Sequence, residues 1–223
     1  MKYTTIIYDL DGTLLDTLDD LADSVNHALA VFSFPLRTRE EVRQFVGNGL
    51  RRLMILAVPD GEANPVFEEV CKCQREYYYT HSNVKTKPYA GVMELLEKLD
   101  KEGYKQAIVS NKPDKAVKDL NDIYFEKYIF PAVGEQNGVR RKPAPDTVNK
   151  VMETLQVSRE ECLYVGDSEV DIETAANAGI DCASVSWGFR DSQLLREKGA
   201  VNISDNTEEL YRYIHSQKET NEE

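Results

Sequence analysis

Five short apolar runs, each followed by turn chemistry and then by helical periodicity, restrict this chain to one fold class. The runs are Thr4–Leu10, Gln106–Ser110, Phe130–Val133, Cys162–Val165 and Cys182–Val185. Their β-branched and aromatic content predicts buried strands. Helices between them carry their own punctuation. Gly91–Lys101 stops before Gly103, Pro113–Ile123 opens on a proline in its first turn, and Asp171–Ala178 closes at Gly179. Strand and helix in alternation imply an α/β fold, a Rossmann-like parallel sheet with helices on both faces.

One segment breaks the alternation. From Thr17 to about Asn83 the sequence offers no convincing strand and reads as helices: Leu18–Phe32, one opened by the Thr38-x-x-Glu41 capping box, one from about Leu50, and Pro65–Thr80. An all-helical block after the first strand predicts an inserted helical cap. The expected division is a core of residues 1–16 and 84–223 with a cap of 17–83. The polar, proline-terminated stretch Ser82–Pro88 suits a hinge. The tail Gln217–Glu223 reads as frayed.

The first strand ends in Asp9-Leu10-Asp11-Gly12-Thr13-Leu14. A period of two puts both carboxylates on one side of the emerging chain. Two adjacent acids are costly unless a cation joins them or one keeps its proton. These residues therefore form a metal centre, an acid/base pair, or both; a plain Asp-Gly turn accounts for the same spacing. Three further clusters end later strands: Ser110-Asn111-Lys112, Lys142-Pro143, and Gly166-Asp167-Ser168 with Asp171. In an open parallel sheet, loops at the carboxyl edge converge on one crevice. Carboxylate oxygens select Mg2+, and a lysine with hydroxyl and amide donors holds phosphate oxygens. The combined inventory points to phosphoryl transfer.

Composition narrows the partners. The chain has 223 residues, 27 Lys and Arg against 39 Asp and Glu, and a formal net charge of −12. A field of that sign argues against nucleic acid or an anionic membrane as partner, while a small phosphorylated metabolite remains open where local cations overcome it. Cys71, Cys73, Cys162 and Cys182 are scattered without metal-ligand spacing and read as reduced thiols. No run reaches transmembrane length and no signal-peptide pattern is evident, so a cytoplasmic protein is expected, as monomer or homodimer.

The four clusters, in order and spacing, resemble those of the haloacid dehalogenase superfamily of aspartate-nucleophile phosphohydrolases over nearly the whole chain. The phosphoglycolate phosphatases with a helical cap are the most similar group. That likeness rests on Val46-Gly47-Asn48-Gly49-Leu50, Pro88-Tyr89-Ala90-Gly91-Val92, Tyr164 through Asp171, and Ser186-Trp187-Gly188-Phe189-Arg190. The resemblance implies that Asp9 is the nucleophile and Asp11 the general acid and then base. It implies a Mg2+ ion on the Asp9 carboxylate, the Asp11 backbone carbonyl and Asp167, with Asp171 in support. Gly12, Thr13, Ser110, Asn111 and Lys142 would hold the phosphoryl group, and Lys142 would also offset the Asp9 charge.

Other chemistries can be weighed on residues. A dehalogenase of this family needs no acid at position 11, and Asp11 is present. A phosphonoacetaldehyde hydrolase needs a cap lysine; only Lys72 lies between Thr17 and Thr80, in mid-helix. A sugar-phosphate phosphatase or mutase, or a pyrophosphatase, shares the four clusters and stays open. A non-catalytic binding protein would be marked by loss of Asp9, Asp11 or Lys142, all of which are intact. Within the cap, Gly47-Asn48-Gly49 is the expected substrate-selecting loop, with two glycines exposing backbone donors ahead of a helix. Arg51 or Arg52 is a candidate partner for a substrate carboxylate, or a solvated helix charge.

Overall fold

The computed structural model describes residues 2–216; the tail expected to fray lies outside them. In chain order the strands are β1 (Thr5–Tyr8), β2 (Leu15–Asp16), β3 (Lys87–Pro88), β4 (Lys105–Pro113), β5 (Ala132–Glu135), β6 (Cys162–Gly166), β7 (Asp181–Val185) and β8 (Ile203–Ser204). The helices are α1 (Leu18–Val31), α2 (Arg39–Phe45), α3 (Gly49–Ala57), α4 (Phe67–His81), α5 (Val92–Lys101), α6 (Asp114–Tyr124), α7 (Asp146–Leu155), α8 (Glu169–Ala178), α9 (Ser192–Glu197) and α10 (Thr207–Ser216).

The chain divides into two compact units, one running to Leu14 and resuming at Pro88, the other Leu15–Lys87. These limits fall two to four residues from those the composition suggests, because β2 and β3 pair with each other and extend the structured chain on both sides of the crossing.

The first unit holds a six-stranded sheet in the order β5-β4-β1-β6-β7-β8. Its registered strand pairs are parallel. All four residues of β1 are buried, which explains why it reads as an unbroken apolar run rather than an alternating one. From β1 the chain builds outward through β4 to β5, then crosses back to place β6 on the other side of β1. The order reverses beside β1, so the carboxyl ends of β1, β4 and β6 meet at the switch point where ligands bind in such sheets. Ile7, Ala107, Val109, Cys162 and Tyr164 from the strands pack with Val148, Val151, Met152, Ala175 and Ala178 from α7 and α8. Each valine, isoleucine or methionine buried here stabilises the fold by roughly 1.5–3 kcal/mol.

Strand β4 differs from expectation. It runs past Ser110 to Pro113, with a register irregularity between Val109 and Pro113 before Pro113 pairs with Glu135. Ser110, Asn111 and Lys112 therefore sit on strand backbone rather than in a loop.

The second unit is helical apart from its terminal strand residues. Helix α1 buries Leu18, Leu21, Ala22, Val25, Ala28 and Leu29, at the 3.6-residue spacing of one face. Helix α4 buries Phe67, Val70, Cys71, Gln74 and Tyr78. Gln74 donates to Ser24 Oγ at 3.0 Å, linking the two helices. The Thr38–Glu41 capping box is present at α2. All four cysteines are free thiols.

Candidate active site

Strand β1 delivers Asp9 to the sheet's carboxyl edge. The Asp9 backbone N–H donates to the Val165 carbonyl at 2.9 Å, which ties the start of the loop to β6. Asp9 Oδ1 accepts from the Leu10 backbone N–H at 2.7 Å and lies 2.9 Å from Lys142 Nζ. Its other oxygen carries no hydrogen bond among the described residues. One oxygen of the carboxylate is thus held from two sides.

Lys142 is buried at the centre of the cluster. Its three N–H bonds are directed at Asp9, at Asp171 Oδ1 (2.8 Å) and at the Tyr164 hydroxyl (3.0 Å). Burial opposes the ammonium, but the carboxylates of Asp171 and Asp9 outweigh it and hold its pKa well above the usual lysine value. Asp171 occupies the N3 position of the Ser168 capping box on α8, where its Oδ2 accepts from the Ser168 N–H and hydroxyl. With both oxygens engaged, Asp171 acts as a support that fixes Lys142.

Asp167 follows β6 and is held from two sides. The Thr13 hydroxyl donates to Oδ1 at 3.1 Å, and the Phe189 backbone N–H donates to Oδ2 at 2.7 Å. The loop from Trp187 to Arg190 reaches it through that N–H. It is also anchored by the Trp187 indole on the Thr13 carbonyl at 3.0 Å. Side chains are excluded at two glycines here. A Cβ on Gly12 (φ 89°) would overlap the Asp167 carboxylate, and one on Gly188 would overlap the Gly12 carbonyl and Asp167.

Asp9, Asp167 and Asp171 bring one carboxylate oxygen each within 4.8 Å of one another, all three buried. Desolvation, with repulsion from Asp171 and Asp11 against the attraction of Lys142, raises the Asp9 carboxyl to about 7. Burial and the charges of Asp171 and Asp9 raise Asp167 well above the carboxylate range. Three ionised acids with one ammonium leave two negative charges, which a divalent cation balances, and an all-oxygen donor set suits a hard ion. The residues fit a divalent metal.

Asp11 stands apart from the three. Its Oδ1 is 2.8 Å from the ammonium of Lys112, whose side chain is 1% exposed. Lys112 stands in the Ser110-Asn111-Lys112 cluster, but nothing local in the sequence marks its pairing with Asp11, 101 positions away. The Ser110 hydroxyl accepts from the Lys112 backbone N–H at 3.3 Å, and Asn111 donates to the Lys142 carbonyl at 3.1 Å. The structure therefore brings Asp9, Asp11, Thr13, Ser110, Asn111, Lys142, Asp167 and Asp171 into one network in the first unit.

Gly47, Asn48 and Gly49 lie in the helical unit and lead into α3, with positive φ at both glycines (120° and 77°). Arg51 is engaged with Glu62 at 2.9 Å and Glu68 at 2.7 Å, and lies over the Phe67 ring. Of the two arginines, only Arg52 has no ion-pair partner among the described residues. Tyr77 stacks between His27 (4.1 Å) and His81 (3.9 Å), which is packing within that unit.

The model of the haloacid dehalogenase-like hydrolases matches residues 6–185. Phosphoglycolate phosphatase 1 of Pseudomonas aeruginosa is 32% identical over 210 residues, 92% of this chain and 77% of its own. The phosphoglycolate phosphatase of Vibrio parahaemolyticus is 32% identical over 216 residues, 94% of this chain and 95% of its own. A Lactobacillus delbrueckii subsp. bulgaricus protein, solved as a candidate phosphoglycolate phosphatase, superposes with a TM-score of 0.91 at 35% identity, covering 96% of this chain and 99% of that one. Among the described residues no helix is long and apolar enough to cross a membrane.

Proposed function

Because the chain belongs to the haloacid dehalogenase-like hydrolases and is a phosphatase of that family, we propose that it hydrolyses 2-phosphoglycolate to glycolate and phosphate through an aspartyl-phosphate on Asp9. The observation that carries this reading is the Asp9 carboxylate, fixed through one oxygen by Lys142 and Leu10 N–H inside the buried acidic cluster.

Asp9 attacks phosphorus, and an Asp9 oxygen–phosphorus bond forms as the bond from phosphorus to the glycolate oxygen breaks. Asp11 gives its proton to the departing oxygen, then takes one from the water that attacks the aspartyl-phosphate. The water oxygen–phosphorus bond forms as the Asp9 oxygen–phosphorus bond breaks, and phosphate leaves with Asp9 a carboxylate and Asp11 protonated again. Lys142 favours the ionised form of Asp9 against the desolvation that opposes it, and reduces the repulsion of the incoming dianion. Ser110, Asn111 and Lys142, with Gly12 and Thr13 of the first loop, would hold the phosphoryl oxygens. Mg2+ held by Asp9, the Asp11 carbonyl and Asp167, with Asp171 behind, would supply neutralisation of the transferring group's charge. The residues proposed to select the leaving group, Gly47, Asn48 and Gly49 with Arg52, belong to the helical unit Leu15–Lys87. Two relatives bearing the phosphoglycolate phosphatase name support this substrate.

The test is phosphate release from phosphoglycolate, hexose phosphates, nucleotides and pyrophosphate, with Mg2+ and with EDTA. Phosphoglycolate is expected to give the highest kcat/KM, and EDTA to abolish turnover. The Asp9→Asn variant should lose roughly 10^3-fold or more in kcat. Near-normal turnover by that variant removes the nucleophile assignment, and a preference for another phosphate removes the substrate.

A further inference from the structure

The site contains a second buried lysine, a member of the Ser110-Asn111-Lys112 cluster that the proposed reaction leaves without a role of its own. Lys112 reaches Asp11 from β4, across 101 positions of sequence, and its side chain is almost completely inaccessible. Lysines are almost never buried to this degree unless paired. The pair joins the extension of β4 to the loop after β1, and those strands are parallel neighbours. We propose that Lys112 is a positioning residue: its ammonium binds Oδ1 of the Asp11 carboxyl group and so orients the other oxygen, which carries the proton, toward the leaving group. The proposal rests on the reading of Asp11 as the acid that protonates that group.

Three observations carry it. Lys142 cannot do this work, because its three N–H bonds are already directed at Asp9, Asp171 and Tyr164. Asp11 is the least buried of the site's acids, with its side chain 20% exposed, so its carboxylate would otherwise sample several rotamers. Lys112 in turn projects from fixed backbone. Its N–H is on the Ser110 hydroxyl, and Gly134 of the neighbouring β5 packs so close to its carbonyl that a Cβ there would not fit. A rigid donor and a mobile acid make a directional pair, and misplacement of a catalytic group by about 1 Å can cost 10^2-fold.

The experiment uses leaving-group dependence in the full chain with Mg2+. An alkyl leaving group such as glycolate needs a proton from a general acid, whereas p-nitrophenolate departs without one. The quantity compared is kcat/KM, which reports loss of transition-state stabilisation relative to free enzyme and substrate. For Lys112→Met, the fall in kcat/KM on phosphoglycolate is expected to exceed the fall on p-nitrophenyl phosphate by about tenfold. Asp11→Asn should show the same selective pattern, and the double variant should add no further selective loss. Lys112→Arg should recover part of it. Equal falls on the two substrates, or none on either, overturn the positioning role; the first would mean that Lys112 acts on the phosphate or on folding. If Lys112→Met fails to fold by circular dichroism, Lys112→Gln carries the same comparison. A wild-type enzyme inactive on both esters would instead refute the hydrolase reading itself.

Discussion

At position 188 backbone, carboxylate and loop compete for the same volume. A Cβ there would strike the Gly12 carbonyl and the Asp167 side chain together, and both belong to the acidic site. Gly188→Ala should therefore displace Asp167 at an overpacking cost of roughly 1–3 kcal/mol. It should raise the Mg2+ concentration needed for half-maximal turnover severalfold, a shift read from a metal titration of activity. An unchanged titration would show that the loop yields without moving Asp167. The residues around Asp167 also show where sequence stops being informative. Asp9, Asp11, Asp167 and Lys142 announce themselves because acids and an ammonium at strand ends are chemically expensive without a purpose. Gly188 and Lys112 do not, since their roles depend on what stands opposite them, 176 and 101 positions away. Arg51 shows the converse: a cation in a locally basic segment that is neutralised by Glu62 and Glu68 from later in the chain.

Helix α1 carries its own long-range device. Asp20, buried in its first turn, accepts from the backbone N–H groups of Val84, Lys85 and Thr86 at 3.0, 3.0 and 2.9 Å, and from the Thr86 hydroxyl at 2.7 Å. One carboxylate thus satisfies the backbone of the segment that follows α4 and leads to β3. Asp20→Asn keeps the shape but turns an N–H group toward donors, leaving buried groups unsatisfied. A loss of about 2–4 kcal/mol is expected in urea unfolding, with faster proteolysis between residues 82 and 87. A loss under about 0.5 kcal/mol would show that water replaces these bonds. The elements themselves were legible where periodicity is long. Helix boundaries at α1, α5 and α8 fall within two residues of those the caps and glycines predict. Strand β8, at two residues, is too short to leave a pattern. The extension of β4 through Ser110-Asn111-Lys112 reads as loop because its polar residues face the site rather than the core.

For the molecule as a whole, the site's charge imbalance becomes a dependence of stability on pH. In the metal-free protein Asp9 has a folded pKa of about 7 and Asp167 is raised as well, whereas an unfolded aspartate titrates near 3.8. A folded pKa above the unfolded one means that the folded state binds the proton more tightly. That contribution is complete below about pH 4 and is lost as pH rises towards 7. Metal binding works in the opposite direction, because the ligands must be deprotonated and cation competes with proton. Elsewhere Asp114, Asp146 and Asp181 have lowered pKa values and favour the folded state as pH rises, but they do so with or without metal. The shift in Tm caused by Mg2+ therefore isolates the site. At 100 times its Kd a ligand stabilises by about 2.7 kcal/mol, and for a chain of this size each kcal/mol moves Tm by roughly 2–4 °C. The expected result is a Mg2+-induced rise of about 5–10 °C at pH 8 that shrinks to a small fraction at pH 5, measured by thermal unfolding in Mg2+ against EDTA. A rise of equal size at both pH values would mean that the acids are ionised before the metal arrives, and that Lys142 with Lys112 already balances them.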